Sequence, residues 1–202
     1  MRGAFALTLV TDRARLPPGR GLAALAAEAA AAGLDAVQVR EKDMGDRALI
    51  ALLRAVATEL LGSATRLVVN GRPDLATLAG AAGVQRPEEG LPPRAVRRAF
   101  PDLAIGASCH SVEGAVRAAD EGASWIVLGP VFATPEKEGR AIGLQAIAEA
   151  ARRVSVPVHA VGGITAANAQ QAADAGARGV LAIRAFLDQP IAMAAAAMRG
   201  AR

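Results

Sequence analysis

Eight short runs of Val, Ile, Leu and Ala punctuate the chain: Phe5–Val10, Ala36–Arg40, Arg66–Asn70, Gly83–Gln85, Ala104–Ser108, Trp125–Gly129, Val156–Val161 and Gly179–Ile183. Most are continuously apolar rather than alternating, the pattern of parallel strands covered on both faces. Between them lie Ala- and Leu-rich segments with helical spacing, notably Leu22–Ala32, Asp46–Leu61, Val112–Asp120, Leu144–Val154 and Ala166–Ala175. The third and fourth helices of this alternation carry the weakest pattern. "AAAGLDAVQVR", "DEGASWIVLG" and "DAGARGVLAIR" each close a helix on Gly and open a strand a few residues later. Gly33, Gly122 and Gly176 are therefore expected at the left-handed position that ends a helix. A strand–helix unit recurring on short loops predicts a (β/α)8 TIM barrel of the α/β class, a single compact domain over 1–202. An open doubly wound sheet is the alternative. Ile191–Ala197 reads as a final helix.

Composition narrows the function. The 202 residues are 52% hydrophobic, yet no apolar run reaches the ~18 residues of a membrane span. The N-terminal MRGAFALTLVTDR meets a polar residue too early for a secretory signal, so a soluble cytoplasmic protein is expected. A single cysteine, Cys109, excludes an internal disulfide,. The net charge of +4 raises the question of nucleic acid, but aromatic residues make up 2% and Tyr is absent. With few stacking platforms and dispersed Arg, no nucleic-acid partner is expected. Basic residues in a cleft suit small phosphorylated substrates equally well. Exposed Ala-rich faces leave a homo-oligomer open.

In such a barrel the chemistry belongs at the strand C-termini, and polar residues gather there. The second run leads into Gln38, Arg40, Glu41 and Lys42, the third into Asn70 and Arg72, and the fifth into Ser108 and His110. After the sixth comes "GPVFATPEKEG", with Thr134 and Lys137; the seventh ends in Gly162 and Gly163, the eighth in Ile183 and Arg184. Loops after strands seven and eight commonly hold phosphate through backbone amides at helix starts. Gly162 and Gly163 let an anion approach the backbone, and Arg184 can add a charge-assisted contact. Arg40, Lys42 and Lys137 suggest a second anionic group, with Glu41 and Asp43 pointing away or pairing with them. His159, mid-strand, reads as a buried, hydrogen-bonded structural residue. His110 is an acid/base candidate or a helix cap. Cys109 has no surrounding constellation that would make it a nucleophile, and no His/Cys cluster suggests a metal.

"VQVREKD", "VVNGRPDLA", "GASCHS", "LGPVFATPEK" and "AVGGIT" resemble, in order and spacing, the motifs of the thiamin-phosphate synthase/TenI superfamily. The resemblance runs from Thr8 to Phe186 and implies a (β/α)8 barrel acting on a thiazole phosphate. In the synthase branch, a hydroxymethylpyrimidine diphosphate is joined to the thiazole phosphate with Mg²⁺. That implies that Gln38, Arg40, Lys42, Asn70, Ser108, Thr134 and Lys137 surround the pyrimidine and diphosphate, with Gly162, Gly163, Ile183 and Arg184 on the thiazole phosphate. Arg72 and Gln85 join the substrate-binding set.

Departures from the synthase pattern are specific. Its two metal-binding Asp positions are Gly71 and Gly90 here, and its His before the second is Gln85. Magnesium relies on carboxylates plus substrate oxygens, so no metal or other cofactor is expected unless the synthase activity holds. The TenI branch is similar in fold but aromatises a carboxythiazole phosphate by moving a proton, without metal. Its catalytic His position is Pro130 here, which leaves His110, then Lys42 or Glu41, as the acid/base group. Arg184 departs from both branches, which carry Ser. The residues place a TenI-like tautomerase first, a thiamin-phosphate synthase second and a non-catalytic thiamin-phosphate-binding regulatory protein third.

Overall fold

The computed structural model describes residues 6–134 and 141–200. Strands β1 (Ala6–Val10), β2 (Ala36–Val39), β3 (Arg66–Asn70), β4 (Gly83–Arg86), β5 (Ala104–Cys109), β6 (Trp125–Leu128), β7 (Val158–Val161) and β8 (Gly179–Ala182) pair in parallel in sequence order. β8 returns to β1 through Ala6↔Gly179 and closes the barrel. Helices α1 (Leu22–Ala31), α2 (Asp46–Glu59), α3 (Pro73–Leu78), α4 (Pro93–Ala99), α5 (Val112–Asp120), α6 (Gly143–Arg153), α7 (Ala169–Asp174) and α8 (Arg184–Leu187) follow the strands in turn, and α9 (Ile191–Gly200) ends the chain's described part. No helix among the described residues is long and apolar enough to cross a membrane.

The eight predicted strands are present, with boundaries moved for local reasons. β7 starts two residues later than its apolar run because Pro157 has no amide to donate to a ladder; its carbonyl accepts from Ile126 instead,. α7 starts at Ala169, not Ala166, because the Asn168 side chain first ties the turn, accepting from the Thr165 amide and donating to the Gly163 carbonyl. The two weakly patterned helices, α3 and α4, exist but are short, and each has Pro in its first turn, where a missing amide costs nothing,. Gly33, Gly122 and Gly176 have φ of 68°, 89° and 101°, as a left-handed helix end requires.

Burial on both strand faces explains the continuous apolar runs. One face, with Leu7, Leu9, Val37, Val69, Ile105 and Leu128, packs with Leu25, Leu53, Ile147 and Phe186 of the helices. The other fills the barrel with Val10, Val127 and Leu181, against Trp125, Val161 and Ile183. Trp125 takes up the space that two glycines vacate. A Cβ at Gly106 would stand 2.2 Å from Trp125 Cε2, and one at Gly83 would stand 2.9 Å from Cη2. The indole N–H donates to Gln85 Oε1 at 2.9 Å, and Gln85 Nε2 donates to the Ser108 hydroxyl at 2.9 Å. This relay satisfies a buried amide and connects the barrel interior to its C-terminal mouth. At the opposite end a smaller cavity of about 350 Å³ is lined by Asp35, Arg66, Trp125 and His159. Burial pushes the His159 imidazole down to about 4, so the ring is neutral near pH 7,. His159 thus faces the cavity at the end opposite the strand C-termini; it is half-buried, and the hydrogen bond expected of its ring is not found among the described residues.

Candidate functional site

The strand C-termini open into a cleft of about 1190 Å³. Gln38, Arg40, Lys42, Asn70, Arg72, Gln85, Ser108, His110, Thr134, Gly162, Gly163, Ile183 and Arg184 all line it. The topology therefore brings together every predicted site residue except Lys137, which lies outside the described residues. On the floor, Gln38 Nε2 donates to Asn70 Oδ1 at 3.3 Å, beside the Gln85–Ser108 bond.

The rim beyond β2 sorts its charges. Thr11 Oγ1 donates to Glu41 Oε1 at 2.6 Å and accepts from the Arg40 amide at 2.9 Å. Arg13 holds Glu41 at 3.1 Å and Asp43 at 2.5 Å. Glu41 and Asp43 thus pair with Arg13, not with Arg40 or Lys42. Among the described residues neither Arg40 nor Lys42 forms an ion pair, and both face the cleft.

Arg72 lines the cleft with its charge already shared. Its guanidinium donates to Asp74 at 3.0 and 2.6 Å and to Asp46 at 3.1 Å, with a further contact from Nη1 to Asp46. The hydrogen bonds from Arg72 hold both carboxyls below the usual Asp range. A guanidinium already shared by two carboxylates adds no net positive charge for a substrate anion. It stitches the start of α2 to the start of α3.

The loop after β7 is built for glycine. Gly162 and Gly163 have φ of 92° and 64°. A Cβ at Gly162 would stand 2.5 Å from the Pro130 Cβ, and one at Gly163 would stand 2.7 Å from the Phe132 Cβ. The segment after β6 is laid along this loop, with the Val131 amide donating to the Val161 carbonyl at 2.9 Å and the Phe132 amide to that of Gly162 at 3.1 Å. The expected role of a helix start is weakened, because α7 begins further on and the Thr165 amide is already taken by Asn168. Arg184, the first residue of α8, faces the cleft beside Ile183.

At the end of β5, His110 is not the helix cap: Ser111 is, its Oγ accepting from the Gly114 amide at 3.1 Å. His110 Nδ1 contacts the Gly129 carbonyl. Because a carbonyl only accepts, Nδ1 carries hydrogen and Nε2 is the nitrogen left for chemistry. Glu88 Oε2 lies 3.9 Å from that Nε2, and Glu88 Oε1 accepts from the His110 amide at 3.4 Å. Glu88, in the loop after β4, was the hardest partner to see from sequence: only its place two residues before Gly90 hinted at it. Cys109 is buried, and desolvation first, then the Glu88 charge, push its thiol up to about 12. It is no nucleophile near neutral pH.

The metal that the resemblance implies can be tested against these donors. Gly71, at φ 72°, has no side chain to offer. At Gly90 the space for a Cβ is pinched by the Pro87 carbonyl at 3.1 Å and Arg86 Cγ at 3.2 Å. Buried Arg86 occupies that turn, its Nη1 donating to the carbonyls of Pro87, Glu88 and Gly90 at 2.6, 2.9 and 3.0 Å. Glu41, Asp43, Asp46 and Asp74 are held by arginines, and no three acid or His/Cys side chains converge among the described residues. With Gly at both positions where the resemblance places an acid, and with the cleft carboxylate Glu88 turned to His110, the donors that Mg²⁺ needs beside substrate oxygens are not assembled at those positions,.

Known proteins resemble the chain over nearly its whole length. A thiamine-phosphate synthase from Methanoculleus marisnigri is 41% identical over 195 residues, 95% of this chain and 92% of that protein. One from Roseiflexus sp. is 38% identical over 185 residues, covering 90% of this chain and 78% of its own. The solved thiamine phosphate pyrophosphorylase from Pyrococcus furiosus superposes with a TM-score of 0.88 at 29% identity, over 97% of this chain and 94% of that one. The pattern of the thiamine monophosphate synthase (TMP-TENI) family matches residues 7–186, and with the barrel, the cleft and these relatives in agreement, the chain belongs to that family.

Proposed function

We propose that the chain is a thiamin-phosphate synthase, an enzyme of thiamin biosynthesis that joins hydroxymethylpyrimidine diphosphate to thiazole phosphate and releases pyrophosphate. The observation that carries this reading is the end-to-end similarity to proteins named thiamine-phosphate synthases, 41% identity over 95% of the chain in one case. The residue pattern alone ranks tautomerisation first; these relatives favour the synthase. Two features of the site agree with them. The cleft, at about 1190 Å³, exceeds the ~300–1,000 Å³ typical of a single-ligand pocket and has room for two substrates. Pro130 stands where a tautomerase carries its His.

In this reading Arg40 and Lys42 meet the diphosphate. Gln38, Asn70, Gln85, Ser108 and Thr134 flank the pyrimidine, and Gly162, Gly163, Ile183 and Arg184 surround the thiazole phosphate. As the bond from the pyrimidine methylene to diphosphate oxygen breaks, negative charge grows on the leaving group. Arg40 and Lys42, which line the cleft and pair with no carboxylate among the described residues, would stabilise that charge,.

A second reading has one specific observation behind it. A donor set unsuited to Mg²⁺ agrees with a metal-independent tautomerase, in which His110 or Lys42 would move the proton. Purified protein given both synthase substrates, with Mg²⁺ and with chelator, separates the two. Thiamin phosphate detected by mass spectrometry supports the synthase. Its absence, together with an absorbance change on carboxythiazole phosphate, supports the tautomerase. Binding of the phosphates with neither reaction would leave a non-catalytic binding protein.

A further inference from the structure

A cleft that cannot gather carboxylates around a dication must meet the leaving pyrophosphate in another way, and the end of β5 offers one. We propose that His110, positioned by Glu88 and by the Gly129 carbonyl, donates a proton to the departing pyrophosphate, supplying with a proton what a carboxylate-held cation would otherwise supply. This rests on the synthase reading above.

The geometry is that of an oriented imidazole with a counter-charge. The Gly129 carbonyl takes the Nδ1 hydrogen, which fixes the ring and leaves Nε2 for the substrate side. Glu88 lies 3.9 Å from Nε2, close enough to pair with the imidazolium. Both residues line the cleft, and the side chain of His110 is 55% exposed, accessible to a ligand in it. Glu88 is itself held. Its backbone carbonyl accepts from Arg86 at 2.9 Å, and its Oε1 accepts from the His110 amide at 3.4 Å. Gly114 makes the approach possible, since a Cβ there would stand 2.8 Å from Glu88 Oε1. The same Arg86 that closes the 87–90 turn, where the family places an acid, thus presents Glu88 to the imidazole.

The step balances without a metal. The bond between the pyrimidine methylene carbon and the diphosphate oxygen breaks, and its electron pair goes to that oxygen. The oxygen takes the proton from Nε2 of the imidazolium. The carbon forms its new bond to the thiazole ring nitrogen. Solvent reprotonates the imidazole after pyrophosphate leaves. His110 is the catalytic residue of this step and Glu88 a positioning residue.

The test uses His110→Asn, Glu88→Gln and the unaltered protein, each checked for a native circular dichroism spectrum. Asn keeps an amide near the Nδ1 position, so the contact with Gly129 survives while the proton donor is lost. Each protein is given the natural pyrimidine diphosphate and an analogue whose difluoromethylene-bridged bisphosphonate leaving group is less basic. General acid catalysis contributes ~10²–10⁴-fold, so His110→Asn should lower kcat by ~10²-fold or more with KM little changed. That loss should shrink at least ~10-fold with the less basic leaving group, which departs without help. Glu88→Gln should show a smaller loss with the same leaving-group dependence. A His110→Asn protein with unaltered kcat, or with the same loss for both leaving groups, overturns the proposal. If the unaltered protein forms no thiamin phosphate from either substrate, the synthase reading falls and this proposal falls with it.

Discussion

Replacing Gly106 with Ala puts a methyl group where the barrel already has an indole. The new Cβ would stand 2.2 Å from Trp125 Cε2, 2.3 Å from Trp125 Nε1 and 2.3 Å from Gln85 Oε1. Relief requires a shift of roughly 1 Å by a ring that also abuts Gly83, in an interior packed as densely as a crystal. Overpacking of this kind costs ~1–3 kcal/mol. The indole–Gln85 bond cannot survive it, and an unsatisfied buried amide costs a further ~1–3 kcal/mol. A loss of ~2–6 kcal/mol is a large share of a domain's ~5–15 kcal/mol. At ~2–4 °C per kcal/mol for a chain of this size, the melting temperature should fall by roughly 5–20 °C. Trp125 is the only tryptophan, so its fluorescence reports the barrel interior directly, and its emission should shift as the melting curve does. With the Gln85 carboxamide displaced, the Ser108 hydroxyl loses its donor and KM should rise as well. A Gly106→Ala protein melting within ~2 °C of the parent, with unchanged emission, would refute this account of the interior.

Other consequences are as direct. Gly162→Ala meets Pro130 at 2.5 Å and an unfavourable φ of 92°, so KM for the thiazole phosphate should rise at least ~10-fold, since each 1.4 kcal/mol of lost binding is a factor of ten; kinetics at saturating pyrimidine diphosphate measure it. His159 is held neutral in the fold at a pKa of about 4 against an ordinary 6.5. Between these values the unfolded chain binds a proton that the folded chain refuses, so stability is lost as pH falls from about 6.5 towards 4, by ~2–3 kcal/mol. Urea denaturation of His159→Gln at pH 7.5 and 4.5 should show that difference reduced. Cys109, with its thiol pushed up to about 12, should react with iodoacetamide at pH 8 at least ~100-fold more slowly in the native protein than in urea.

The barrel was legible because parallel strands buried on both faces leave continuous apolar runs, and because Gly33, Gly122 and Gly176 mark helix ends that only a positive φ allows. Its boundaries were less so: Asn168 delays α7 through side-chain bonds that compete with helix formation, which periodicity does not register,. The gathering of Gln38, Asn70, Ser108 and His110 at one mouth follows from barrel topology once polar residues are seen at strand ends. The pairing of charges does not follow. Arg72 sits in the sequence beside Asn70 as though to bind substrate, but Asp46, twenty-six positions away, shares its guanidinium with Asp74. Glu88 reaches His110 for the same reason, through contacts between loops that no local pattern encodes.

These charge pairs bear on why the missing acids do not leave the mouth unformed. A bound dication does two things in a site of this kind: it neutralises phosphate charge, and it draws carboxylate-bearing loops together. The second task falls here to guanidinium groups. Arg13 joins the segment after β1 to Glu41 and Asp43 after β2, and Arg72 joins α2 to α3 through Asp46 and Asp74. Arg86 closes the turn after β4 through three carbonyls. Planar guanidinium forks fix such geometry well, so the rim is held whether or not a cation is present. Rim arginines spent in this way cannot also neutralise a substrate. That leaves the first task to Arg40 and Lys42, which pair with no carboxylate among the described residues, and to any proton the site can deliver. Rim architecture and substrate charge, coupled through one ion in a metal site, are here carried by separate side chains. Substitutions at Arg13 or Arg72 should therefore loosen loops, whereas those at Arg40 or Lys42 should weaken diphosphate binding with the loops intact.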